Sequence, residues 1–169
     1  IGYSSGAMYY LTGQVFRNLP SAIASASAGI GQAGQIKVSA GRLFLLERGV
    51  ISTGTIGSGA AGLIQVTADE LQIHSSGAIS NSSNTLFVND QWVVGTGPSG
   101  NIEVNANNLL ITTDGAIAAN SLGIGEAGAL KIRANTIRVL DKGLAITSAA
   151  QATGGNIYLT ATNLLYLDD

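Results

Sequence analysis

The stretch "GNIEVNANNLLITTDGAIAAN", Gly100 to Asn120, decides the fold. Apolar residues fall at every second position from Ile102 to Ala106. The alternation then changes phase, resumes at Leu109 and Ile111, and closes on Gly115-Ala116-Ile117. A period of two places one face of an extended chain against apolar material and the other in water. An amphipathic helix needs apolar residues at i, i+3, i+4 and i+7, a pattern this stretch lacks. The chain repeats the phrase four more times, as "GQIKVSAGRLFLLERGVIS" from Gly34, "GLIQVTADELQIHSSGAIS" from Gly62, "GALKIRANTIRVLDKGLAIT" from Gly128 and "GNIYLTATNLLYLD" from Gly155.

The leading glycines lie 28, 38, 28 and 27 residues apart, so the 38 reads as a 28 with ten residues inserted. Aligned on them, the copies form apolar columns. The first is Ile36, Ile64, Ile102, Leu130 and Ile157; the second is Val38, Val66, Val104, Ile132 and Leu159. The third is all alanine: Ala40, Ala68, Ala106, Ala134 and Ala161. The fourth reads Leu43, Leu71, Leu109, Ile137, Leu164 and the fifth Leu45, Ile73, Ile111, Val139, Tyr166. One copy cannot bury such a face alone, whereas copies stacked in register enclose a core and satisfy their backbones through parallel ladders. The expected fold is therefore all-β: a parallel β-helix, or β-solenoid, with about 28 residues per coil. Each coil should hold two short strands meeting at a corner near the alanine, a third strand at Gly-Ala-Ile, and a Gly/Ser-rich return loop. The coils occupy 34–169 with an insertion near 84–97, and 1–33 is expected to be an irregular first coil or an N-terminal cap.

Composition is consistent with this fold and removes several functional classes. Charged residues are 11% of the 169, against roughly a quarter in ordinary soluble domains. A net charge of −2 leaves no basic footprint for nucleic acid. Cysteine is absent, which excludes disulfides and thiolate metal sites. No apolar run approaches the roughly 18 residues of a membrane-spanning helix.

The phrase G-x-I-x-V-x-A-x-x-L-x-I, followed by G-A-I and a Gly/Ser loop ending in Ala-Gly or Gly-Gly, resembles the repeat region of filamentous-haemagglutinin-type large exoproteins. These are the secreted partners of two-partner secretion systems. The resemblance covers about Ser21 to Asp169. It implies a right-handed β-helix, export through an outer-membrane transporter that is a partner of the parent protein, and a secreted or cell-surface location. It also implies a role in adhesion or surface display toward a host or surface glycan or protein. The family's N-P-N-G type secretion motif is absent from this sequence.

The sequence gathers few groups capable of chemistry. His74, the only histidine, sits at a corner position shared with Leu46, Thr112 and Leu140, and has no companion ligand. Glu103 and Lys131 are outward neighbours on adjacent coils, expected to form a surface pair. Asp114, Asp141 and Glu47 make an acidic strip interleaved with Arg48 and Lys142. The loop "GIGEAG", 123–128, leads into a strand and so is a turn, since a phosphate loop must open a helix. No residue is assigned to catalysis, to a cofactor or to a metal.

The insertion is the most individual feature. "NTLFVNDQWVVGTG", from Asn84, reads as two strands around Asn89-Asp90 and carries Phe87 and the only tryptophan, Trp92. Either these aromatics fold back on the solenoid flank or they form a partner-binding contact, and Phe87 and Trp92 are the candidate partner-binding residues. The first twenty residues carry Tyr3, Tyr9, Tyr10 and Phe16, suited to an aromatic cap. Asp168-Asp169 follow a strand that would present an open edge, a place for self-association at the solenoid end. The favoured function is a non-enzymatic structural or adhesive segment acting as spacer and display scaffold. The alternatives are a filament subunit stacking end to end and a polysaccharide-active β-helix enzyme.

Overall fold

The computed structural model describes residues 21–88 and 90–169, with backbone alone for 86–88. The N-terminal aromatics lie outside the described residues. Twelve strands and no helix are found among those described: β1 (Ala22–Ser27), β2 (Ile36–Leu45), β3 (Val50–Thr55), β4 (Ile64–Ile73), β5 (Ala78–Ser83), β6 (Thr85–Val88), β7 (Gln91–Val94), β8 (Ile102–Ile111), β9 (Ala116–Ser121), β10 (Leu130–Val139), β11 (Leu144–Ala149) and β12 (Ile157–Leu167). The long strands form one five-stranded sheet in the order β2-β4-β8-β10-β12, and the short ones form a second in the order β1-β3-β5-β9-β11. Every pairing in both sheets is parallel, coil to coil. This is the expected β-solenoid. Regular stacking already begins at Ala22, which pairs with Val50.

The columns of the sequence are columns in space. Ile36, Ile64, Ile102 and Leu130 are successive Cα partners, as are Ala40, Ala68, Ala106 and Ala134. Ile64, Val66, Leu71, Ile73, Ile102, Val104, Leu109, Ile111 and Leu130 belong to one buried cluster, closed from the opposite sheet by Ile51, Ile79 and Ile117. Fully burying each of these side chains stabilises the fold by about 1.5–3 kcal/mol, an upper bound because unfolded chains are partly compact.

Two details differ from the sequence expectation. The two strands expected on either side of the alanine run as one ten-residue strand, whose pairing skips Gly41, Asp69, Asn107 and Asn135. That skipped residue is what changes the inward phase from Ile102, Val104 and Ala106 to Leu109 and Ile111. In the last coil the register shifts by one residue after Ala134, so Ile137 pairs with Leu165 and Val139 with Leu167. The fourth and fifth columns therefore end in Leu165 and Leu167, not Leu164 and Tyr166. The shift absorbs the 27-residue spacing and returns the coil to a 28-residue repeat.

The leading glycines are required by close approach. A Cβ on Gly62 would lie 2.0 Å from the Gly34 carbonyl oxygen, and one on Gly128 would lie 2.0 Å from that of Gly100. An inward polar column on the short strands, Ser25, Thr53, Asn81 and Thr147, ties the second sheet to these glycines. Ser25 Oγ accepts the Gly34 N–H at 2.9 Å, and Thr53 Oγ1 donates to the Gly62 carbonyl at 2.9 Å. Asn81 donates to the Gly62 carbonyl and accepts the Gly100 N–H at 2.8 Å, while Thr147 donates to the Gly155 carbonyl at 2.7 Å. Where the column reads Ala119, Ser99 Oγ accepts the Gly128 N–H instead, at 2.7 Å. These bonds satisfy polar groups that would otherwise be costly to leave in a dry interior.

Candidate functional site: a hairpin on the solenoid flank

The ten extra residues are Thr85–Val94. Asn84 donates its N–H to the Thr55 carbonyl in the coil before, and Thr96 donates to that of Gly57, so the coil resumes in phase on both sides of the insertion. The Gly95 N–H donates to the Asn84 carbonyl at 3.0 Å, closing the neck. Between these points β6 and β7 form a separate two-stranded antiparallel sheet, pairing Thr85 with Val94, Leu86 with Val93, Phe87 with Trp92 and Val88 with Gln91. The connection is a two-residue turn with Asp90 at φ 59°, a conformation that Asp and Asn tolerate better than most residues.

Trp92 is 68% exposed, and Gln91, Val93 and Val94 are exposed beside it. The Phe87 side chain lies outside the described residues, although its backbone places it opposite Trp92. The Thr85 hydroxyl donates to the Leu122 carbonyl at 3.3 Å, which brings the hairpin base to the coil above. There Leu122 and Ile124 are also exposed. The sequence located the hairpin and its tryptophan. It gave no sign that Leu122 would be exposed, because the same loop position holds buried Ile56 two coils earlier.

The other candidate residues lie on the long-strand sheet and on the stack of turns that follows it. His74 is the first residue of the turn that ends at Gly77, and its Nδ1 lies 3.0 Å from Ser75 Oγ. Among the described residues no group of three or more potential metal ligands converges. Glu103 meets Lys131 at 3.6 Å and accepts from Gln65 Nε2 at 3.0 Å, a partly exposed surface pair of the kind that contributes under about 1 kcal/mol. Asp141 accepts from the Thr113 hydroxyl at 3.0 Å. The 123–128 loop runs into β10 and so offers no helix N-terminus to a phosphate.

The acidic strip lies on a stack of tight turns. Each turn closes through a glycine N–H donating to the carbonyl three residues earlier: Gly49 to Leu46, Gly77 to His74, Gly115 to Thr112 and Gly143 to Leu140. The two central residues of every turn have positive φ, from 46° at Asp141 to 69° at Arg48. Bonds from one turn to the next, Arg48 to Ser75, Ser76 to Thr113 and Asp114 to Asp141, hold non-glycine residues in this conformation.

No protein family, curated protein or solved structure matches the chain.

Proposed function

We propose that the chain is a non-enzymatic structural and adhesive segment of an exported surface protein, in which the solenoid is the spacer and the β6–β7 hairpin is the displayed contact. The observation that carries this reading is the closed neck at Asn84 and Gly95, with Trp92 exposed beyond it. The coil register is the same before and after the hairpin, so the insertion costs the scaffold little. An exposed tryptophan on a short two-stranded sheet is a typical anchor for a partner. The inward polar column of Ser25, Thr53, Asn81 and Thr147 is used in tying coils to their leading glycines, and Glu103 is held between Lys131 and Gln65. Export and surface display rest on the resemblance of the repeat phrase to filamentous-haemagglutinin-type exoproteins.

The test is a glycan and host-protein array probed with the chain and with Trp92→Ala, together with thermal melting of both. The reading expects binding that falls in Trp92→Ala at an unchanged melting temperature. A variant that melts much lower while binding as well as the parent would overturn it.

A further inference from the structure

Charge is distributed unevenly over the outward face of the long-strand sheet. Strand β10 presents Lys131, Arg133 and Arg138 outward, between the core residues Leu130, Ile132 and Ile137, and it carries no acidic residue. Lys131 pairs with Glu103 one coil below. The Arg133 and Arg138 side chains are exposed, and among the described residues neither has a carboxylate partner. Register puts Tyr158 beside Lys131, Thr160 beside Arg133 and Tyr166 beside Arg138, and both tyrosines are exposed, at 52% and 43%. Two coils below, β4 offers Glu70 and the corner residue Asp69. A polyanion lying along the solenoid axis would therefore meet acids within two coils, whereas one lying along the strands of β10 and β12 would meet cations and aromatic rings.

We propose that the outward face of β10 and β12 binds a single chain of an acidic polysaccharide, with Arg133 and Arg138 holding carboxylates and Tyr158 and Tyr166 stacking on sugar rings. A guanidinium presents a planar fork that matches a carboxylate with two parallel hydrogen bonds. Tyrosine offers a flat apolar ring with a polar rim, suited to a sugar's mixed faces. Thr160, Asn135 and Thr162 lie between the two tyrosines, and the last two already bond at 3.1 Å. The Tyr166 hydroxyl donates to Asp168 at 2.8 Å. That bond, with the charge of Asp168, holds the phenol above its ordinary pKa, partly offset by Arg138. The Tyr166 ring is thus oriented, with Asp168 engaged at its rim. Only a short length of strip is basic, which favours one thin glycan strand over a duplex nucleic acid, whose binding needs many phosphate contacts.

The experiment titrates the chain calorimetrically with polygalacturonate, dextran sulfate, uncharged dextran and single-stranded DNA. Polygalacturonate should bind more tightly than the other three and weaken as salt is raised. Arg133→Ala with Arg138→Ala should lower its affinity by about tenfold or more, as expected for losing two charge-assisted contacts. Tyr158→Ala with Tyr166→Ala should lower it severalfold, with the melting temperature unchanged in each case because the side chains are exposed. Deleting Thr85–Val94 should leave this binding intact, which separates the proposal from the hairpin's role. The proposal is overturned if polygalacturonate does not bind, or binds no more tightly than dextran sulfate or DNA. It is equally overturned if either double variant binds as the parent does.

Discussion

At the scale of single residues, glycines and turn residues carry the constraints that apolar columns alone do not show. A Cβ on Gly100 would fall 2.2 Å from the Gly62 carbonyl oxygen and 2.5 Å from Asn81 Nδ2, whereas one on Gly31 meets nothing within 4 Å. Gly100→Ala should therefore cost about 1–3 kcal/mol or more through forced backbone movement, and Gly31→Ala should stay within about 0.5 kcal/mol. Equal melting temperatures for the two variants would refute the stacked-glycine account. Ile102 is fully buried in the common core. An unpaired carboxylate there is strongly unfavourable, so Ile102→Asp should abolish cooperative melting of the middle coils; a melting curve that overlays the parent would mean that the side chain does not point inward. At the turns, Thr113 and Asp114 hold φ of 49° and 59°, a region where Asn-Gly is the favoured pair. Replacing Asp114 with Gly, which keeps the Thr113–Asp141 bond, should relieve the left-handed backbone and raise stability by up to about 1 kcal/mol, read as a shift in the denaturant midpoint.

At the scale of elements, the strands were legible because burial and period two coincide, and the hairpin was legible because it interrupts a regular repeat. The corner was legible only in part. The alanine column marked its place, but the sequence does not show whether the chain breaks into two strands there or continues as one with a skipped pairing. The one-residue shift in β12 was harder to see, because Leu164 and Leu165 are both apolar and only backbone pairing distinguishes them. The short strands also departed from simple alternation. In β3 and β5 every residue is buried, including Ser52 and Ser80, so polarity alone misreads those faces. The hairpin yields the clearest prediction at this scale. Joining Asn84 directly to Gly95 should leave a 28-residue coil and a melting temperature within a few degrees of the parent, since a change below about 1 kcal/mol shifts the midpoint by only about 2–4 °C in a chain of this size. Loss of the folded state on deletion would show that the hairpin is a structural brace.

At the scale of the whole molecule, the solenoid acts as a frame on which exposed positions can vary without disturbing the core. The inward columns are nearly uniform from coil to coil. The outward positions change from Gln65 to Glu103 to Lys131 to Tyr158, and from Thr67 to Asn105 to Arg133 to Thr160. Function in such a frame depends on what individual coils present. The fold could thus be read from repeated residues, whereas the proposed contact sites lie in residues that do not repeat. The central claim is that successive coils stack directly over one another. Because the chain has no cysteine, that claim can be tested by pairing engineered ones at outward positions of the same column. Neighbouring parallel strands lie about 4.8 Å apart, within the Cα range of a disulfide, while strands two coils apart lie about 10 Å away and outside it. Thr67→Cys with Asn105→Cys, and Asn105→Cys with Arg133→Cys, should each oxidise to an intramolecular disulfide, while Thr67→Cys with Arg133→Cys should remain reduced. Cross-linking of the distant pair in preference to the two neighbouring pairs would contradict the stacked solenoid.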